Sequence, residues 1–120
     1  MLTRDEFLKP APRKIKPVMM TDGRQVYIRS LSEFEHSEYE SSVWKTTKGG
    51  NLEMDPDLLQ GQRRLLIAQC VCDDAGRPLL TTDEAEKIGD LDGGAMRALV
   101  QACREHCGLV DAPETAEKNS

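Results

Sequence analysis

The chain has 120 residues, 38% of them apolar, with only five aromatics, and a net charge of -5. That length fits one domain with one modest core and leaves no room for a second. No apolar run approaches the roughly 20 residues needed to cross a bilayer, and the start MLTRDEFLKP lacks the basic and apolar regions of a signal peptide, so the expectation is a cytoplasmic protein with free thiols.

The charge is unevenly spread. Residues 1 to 30 carry seven Lys and Arg against three Asp and Glu, and the remainder carries nine against eighteen. The basic residues of the N-terminal segment are scattered, without interleaved aromatics for base stacking, and the acidic body repels a polyanion. Nucleic-acid binding is therefore not expected.

In chain order, Thr3 and Glu6 have capping-box spacing and open a short helix that Lys9-Pro10 ends, with Leu2, Phe7 and Leu8 as its apolar contacts. Residues 1 to 13 are read as that helix plus a proline-bearing linker, 14 to 110 as a single globular domain and 111 to 120 as a disordered tail. From Lys14 to Leu31 two apolar runs flank Asp22-Gly23, the strongest short signal for a β-hairpin. Pro17 donates no ladder hydrogen bond, which places the first strand at an edge.

Ser32, three residues before Glu35, opens a second helix expected to reach Trp44, with a loosely periodic apolar side. Residues 45 to 55, with Gly49-Gly50-Asn51, read as a mobile loop. Asp55 as N-cap and Pro56 at the first helical position start a third helix reaching about Val71. Asp73-Asp74-Ala75-Gly76 then breaks the chain, and Leu79-Leu80 make a short extended piece. A short helix begins at Thr82 or Asp83 and ends with Gly89 as its C′ residue. Asp92 caps the last helix, in which Met96, Leu99, Val100, Cys103 and Cys107 form one stripe, and Gly108 with Leu109 has the form of a Schellman ending. The fold class expected is α+β, mainly helical, with an N-terminal β-hairpin followed by about four helices.

Four cysteines invite a closed zinc site of Cys70, Cys72, Cys103 and Cys107, with His106 as a substitute ligand and Zn–S bonds of about 2.3 Å. Their spacing opposes it. In a helix Cys70 and Cys72 point about 200° apart, and Cys103 and Cys107 share the apolar face of Met96 and Leu99, so four small core residues are the better account. No cofactor or metal is assigned. His36 and His106, the only imidazoles, have no motif-defined nucleophile nearby, and neither Gly49-Gly50 nor Gly93-Gly94 belongs to a phosphate loop. Non-catalytic binding is what remains.

The run VYIRSLSEFEHSEYE, a polar loop, and then RRLLIAQCVCDDAGRPLLTTDEAEKIGDLDGGAMRALVQACREHCGL together resemble the tail assembly chaperones of long-tailed bacteriophages and prophages. Arg64, Ala68, Val71, Asp73, Asp74, Gly76, Arg77 and Pro78 stand where that family's pattern places them, and the four cysteines replace aliphatic or small residues. The resemblance implies a small acidic helical protein of the host cytoplasm that binds the tape-measure protein and helps tail-tube assembly, with tape-measure and tail-tube proteins as partners. Self-association into a homo-oligomer stays open. So do two rival readings, a small zinc-stabilised adaptor domain and an accessory subunit of an enzyme. Phe34, Tyr39 and Trp44 are the candidate partner contacts, as large aromatics on an imperfectly periodic helix beside a loop. The alternative for each is an ordinary place in the core.

Overall fold

The computed structural model describes residues 1 to 10 and 12 to 109. The expected tail at 111 to 120 lies outside them, as does Ala11 of the linker. Among the described residues, four α-helices, one 3-10 helix and five short strands follow one another, and the expected α+β, mainly helical class with its early hairpin is what forms.

Helix α1 spans Arg4–Leu8 and carries the full capping box: Thr3 Oγ1 accepts from the Glu6 N–H at 3.2 Å, and Glu6 Oε1 accepts from the Thr3 N–H at 3.3 Å. It buries nothing. Leu2, Phe7 and Leu8, expected as its apolar contacts, are all exposed. At five residues, α1 is short enough to depend on its capping box.

Strands β1 (Ile15–Met19) and β2 (Gln25–Arg29) pair antiparallel with Val18 opposite Val26. Asp22 fixes their turn, its carboxylate accepting from the Arg24 N–H at 3.0 Å and Arg24 Nε at 2.8 Å. Pro17 sits on the outer strand, since β2 gives its other edge to a two-residue strand β5 (Val71–Cys72) in the order β1-β2-β5.

Helix α2 (Glu33–Ser41) starts at the predicted Ser32 and Glu35 box but stops three residues before Trp44. Ser42 Oγ, donating to the Tyr39 carbonyl at 2.7 Å, takes a backbone acceptor that a continuing helix would use. The stretch expected as a mobile loop is instead a second hairpin, with β3 (Trp44–Thr46) antiparallel to β4 (Leu52–Met54). Gly49-Gly50-Asn51 is its turn. Gly50 sits at φ +83°, and the Thr47 N–H donates to the Asn51 carbonyl at 2.8 Å.

Helix α3 (Pro56–Cys70) begins under Asp55 as predicted and ends one residue early, because Val71 turns into the sheet opposite Ile28. Asp73 then builds the tight exit. Its Oδ1 accepts from the Ala75 and Arg77 N–H groups at 2.8 and 2.9 Å, and its Oδ2 accepts from Arg77 Nε at 2.9 Å. The Arg77 and Ala75 amides and the Arg77 guanidinium hold the Asp73 carboxyl below the usual range. Gly76 has φ +85°, a backbone conformation that favours glycine, and a Cβ there would stand 2.9 Å from Ile15 Cδ1, so any side chain would also have to push the end of Ile15 aside.

The segment Thr82–Asp90 is a 3-10 helix rather than an α-helix, and it runs through Gly89 instead of stopping there. Three residues per turn put Ala85 and Ile88 on one line, and both are buried. Helix α4 (Gly93–His106) closes with the predicted Schellman motif: the Leu109 N–H reaches the Arg104 carbonyl at 2.8 Å, and the N–H of Gly108, a residue at φ +73°, reaches that of Glu105 at 3.3 Å.

The core gathers β2, α2, α3, the 3-10 helix and α4. Its largest fully buried side chains are Ile28, Leu66, Cys70, Cys72 and Cys103. One polar network crosses it. Gln69, 3% exposed, donates through Nε2 to the Glu35 carbonyl and to Glu38 Oε1, and its backbone carbonyl accepts from Arg29 Nε at 2.9 Å. Glu35 pairs with Arg29 at 3.1 Å and Arg13 at 2.9 Å.

Partial burial acts to raise the Glu35 pKa, but the Ser32 N–H, Arg29 and Arg13 outweigh it and hold the carboxyl below the usual glutamate range. A depressed folded-state pKa means that stabilisation is complete above the unfolded value and is lost as pH falls through the folded one. Glu35→Gln keeps the capping geometry and removes the charge. It is expected to cost roughly 0.5–1 kcal/mol at neutral pH and to converge with wild type in acid, as read by urea unfolding at the two conditions.

Candidate partner-binding surface

The three aromatics singled out from the sequence do not come together. Five residues of helix separate Phe34 from Tyr39, a rotation of about 140°. Phe34 is 90% exposed and Tyr39 6%. Tyr39 is a fastening residue: its hydroxyl accepts from Arg104 of α4 at 2.9 Å, and its carbonyl accepts from Gln62 Nε2 of α3 at 3.2 Å. Trp44, 45% exposed, stands at the start of β3.

The pairing of β3 with β4 gives Trp44 new neighbours. Trp44 lies opposite Met54, and Thr46 opposite Leu52. Side chains alternate along a strand, so Trp44, Thr46, Leu52 and Met54 share one face while Lys45 and Glu53 oppose each other on the other. All of these residues are exposed. In the first turn of α3, Leu58 and Leu59 are also exposed, and Leu59 lines the groove between α3, the 3-10 helix and α4. For Leu52 and Met54 the available sequence signal is their period-two alternation after Gly49-Gly50, which an expectation of a loop leaves unused.

A second surface feature lies between α3, the 3-10 helix and α4. It is a groove of about 620 Å³, floored by Ile67, Ile88 and Val100 and bordered by Arg63, Arg64, Arg97 and Arg104.

The cysteines lie inside. Cys70, Cys72 and Cys103 are buried, Cys107 is half-buried, and all four are free thiols. Cys70 Sγ and Cys107 Sγ are 3.5 Å apart, and the Cys107 thiol points to the Arg29 carbonyl at 3.7 Å. Among the described residues, no group of three or more His, Cys, Asp or Glu side chains is arranged to hold a metal ion. The thiol contact with Cys103 and burial push the Cys70 pKa up; the contact with Cys70 and burial do the same for Cys107. Thiolate is the reactive form. Iodoacetamide is therefore expected to alkylate the native protein far more slowly than the urea-unfolded chain, with the two time courses compared by mass spectrometry.

No protein-family model and no curated protein sequence matches the chain. Among solved structures, the chain is similar to that of the bacteriophage HK97 tail assembly chaperone, with a TM-score of 0.61 at 18% identity. The match covers 86% of this chain and 89% of that one. The likeness is one of fold: a small α+β chain, mainly helical, with an early β-hairpin. In fold the chain is similar to a phage tail assembly chaperone, the family that the stretch from Asp73 to Pro78 resembles in sequence. No helix among the described residues is long and apolar enough to cross a membrane.

Proposed function

We propose that the chain is a phage or prophage tail assembly chaperone: a non-catalytic protein that binds the tape-measure protein stoichiometrically and helps the tail-tube protein assemble around it in the cytoplasm of the bacterial host. The observation that carries this reading is the fold shared with the HK97 protein over most of both chains. The apolar face of β3 and β4 supports it. A contiguous exposed apolar patch on a small acidic protein is suited to covering an apolar helical partner, and the net charge of -5 keeps the complex dispersed.

Trp44 and Phe34 are the aromatic contacts in this reading. Tyr39 supports them from within, by holding α2 onto α3 and α4. Residues 14 to 110 form the working unit, and α1 is an appendage to it.

The test is co-expression with a tape-measure protein encoded beside it. The tape-measure protein is expected in the soluble fraction and to co-purify with the chaperone. If it stays as insoluble as when expressed alone, the reading is overturned.

A further inference from the structure

The groove between α3, the 3-10 helix and α4 has a chemistry that the apolar hairpin face lacks. Among the described residues, four arginines and no Asp or Glu line it, on a chain with 16 Lys and Arg and a net charge of -5. Arg97 and Arg104 lie seven residues apart on α4, two turns along one side, while Arg63 and Arg64 stand on α3 across the groove. Between them the floor is apolar, with Ile67, Ile88 and Val100.

Arg64 is only partly engaged. Its Nε is buried with no hydrogen-bond partner among the described residues, and another of its nitrogens reaches Glu86 only at 3.9 Å. Arg104 is fastened in place by the Tyr39 hydroxyl. Arg63 and Arg97 are exposed.

We infer that this groove docks an amphipathic α-helix of a partner protein whose apolar stripe is edged by Asp or Glu. The apolar floor takes the stripe, and Arg63 and Arg97, the exposed arginines on its two sides, take the carboxylates, to which their planar forks can bind bidentately. A nucleic acid fits less well. Phosphate tracking requires a basic surface that continues beyond the groove, and this body is acidic.

This inference does not need the helix to come from a tail protein. Co-expression with the tape-measure protein can fail while the groove still binds its peptide, and the reverse.

The test uses the full chain and two helical peptides of about 18 residues, five turns each, with the same leucine stripe, one edged by Glu and one by Lys. Binding is followed by fluorescence anisotropy. The Glu-edged peptide is expected to bind at least about tenfold more tightly than the Lys-edged one, and Arg63→Glu with Arg97→Glu to weaken it by a similar factor at unchanged melting temperature. Four results would overturn the inference: equal binding of both peptides, binding undiminished in the double variant, tighter binding of a single-stranded oligonucleotide of equal charge, or binding that appears only when residues 110 to 120 are deleted. The last would assign the groove to the chain's own acidic segment, with Asp111, Glu114 and Glu117.

Discussion

Leu66→Ala is expected to lower the free energy of unfolding by about 3 kcal/mol. Leu66 is 0% exposed on α3, in the cluster that joins β2, α2, α3, the 3-10 helix and α4. Removing its isobutyl branch forfeits the transfer energy of the lost carbons and leaves a cavity. Its surroundings are poorly placed to collapse into that space. Ile28 comes from a strand, Cys70 from the end of the same helix and Cys103 from α4, so refilling the gap would require separate elements to move together.

Domains of this size have total stabilities of about 5–15 kcal/mol, and this core contains few aromatics. A loss of about 3 kcal/mol is therefore a large share of what holds the fold together. Chemical denaturation with the slope held common to both proteins measures it; a change below about 1 kcal/mol would mean that the cluster is not the cooperative centre of the fold. Leu66→Met, which conserves volume, is expected to cost less than about 1.5 kcal/mol.

Much of this architecture is legible in the sequence because local chemistry and tertiary context agree. The capping pairs Thr3 with Glu6 and Ser32 with Glu35, the Asp55-Pro56 start, the Asp22-Gly23 turn and the Gly108-Leu109 ending are each set by residues within a few positions of one another. Physical rules of short range suffice there. The departures occur where distant partners decide. Val71 and Cys72 leave the helix because β2 has a free edge to pair with, and nothing in residues 63 to 72 alone announces that edge. The segment after Thr81 becomes a 3-10 helix because Ala85 and Ile88 must both face the core within one tight turn. In the second hairpin, the glycine pair suggests mobility, whereas the alternation of Trp44, Thr46, Leu52 and Met54 around it carries the opposite message.

The candidate site is less legible than the fold. Aromatic identity alone treats Phe34, Tyr39 and Trp44 alike, yet α2 turns Phe34 outward and Tyr39 inward. The arginine groove is assembled from α3 and α4, whose contributing arginines lie more than 30 positions apart, so no local pattern marks it.

If the chain has the proposed role, replacing both Trp44 and Leu52 by Lys is expected to abolish binding of the tape-measure protein while leaving the fold intact. These side chains share the exposed face of β3 and β4, on three-residue strands that form a two-stranded sheet of their own. Exposed residues outside the core change stability by about 0.5 kcal/mol or less when substituted, and lysine on a short exposed strand also discourages edge-to-edge association. Binding has the opposite sensitivity. A tryptophan anchor at the centre of an interface is commonly worth about 2 kcal/mol or more, about thirtyfold in affinity, and a desolvated lysine in its place adds a further penalty. Two controls separate this face from its neighbours. Phe34→Lys tests the outer side of α2 by itself, and Tyr39→Phe removes the hydroxyl that accepts from Arg104, at a cost of about 1 kcal/mol in stability, without touching the hairpin. Calorimetric titration with a soluble tape-measure fragment, beside a thermal melt of each variant, reads both quantities. Affinity within about twofold of wild type for the double lysine variant would remove the hairpin from the interface. A larger loss in Phe34→Lys than in the double variant would move the contact to α2.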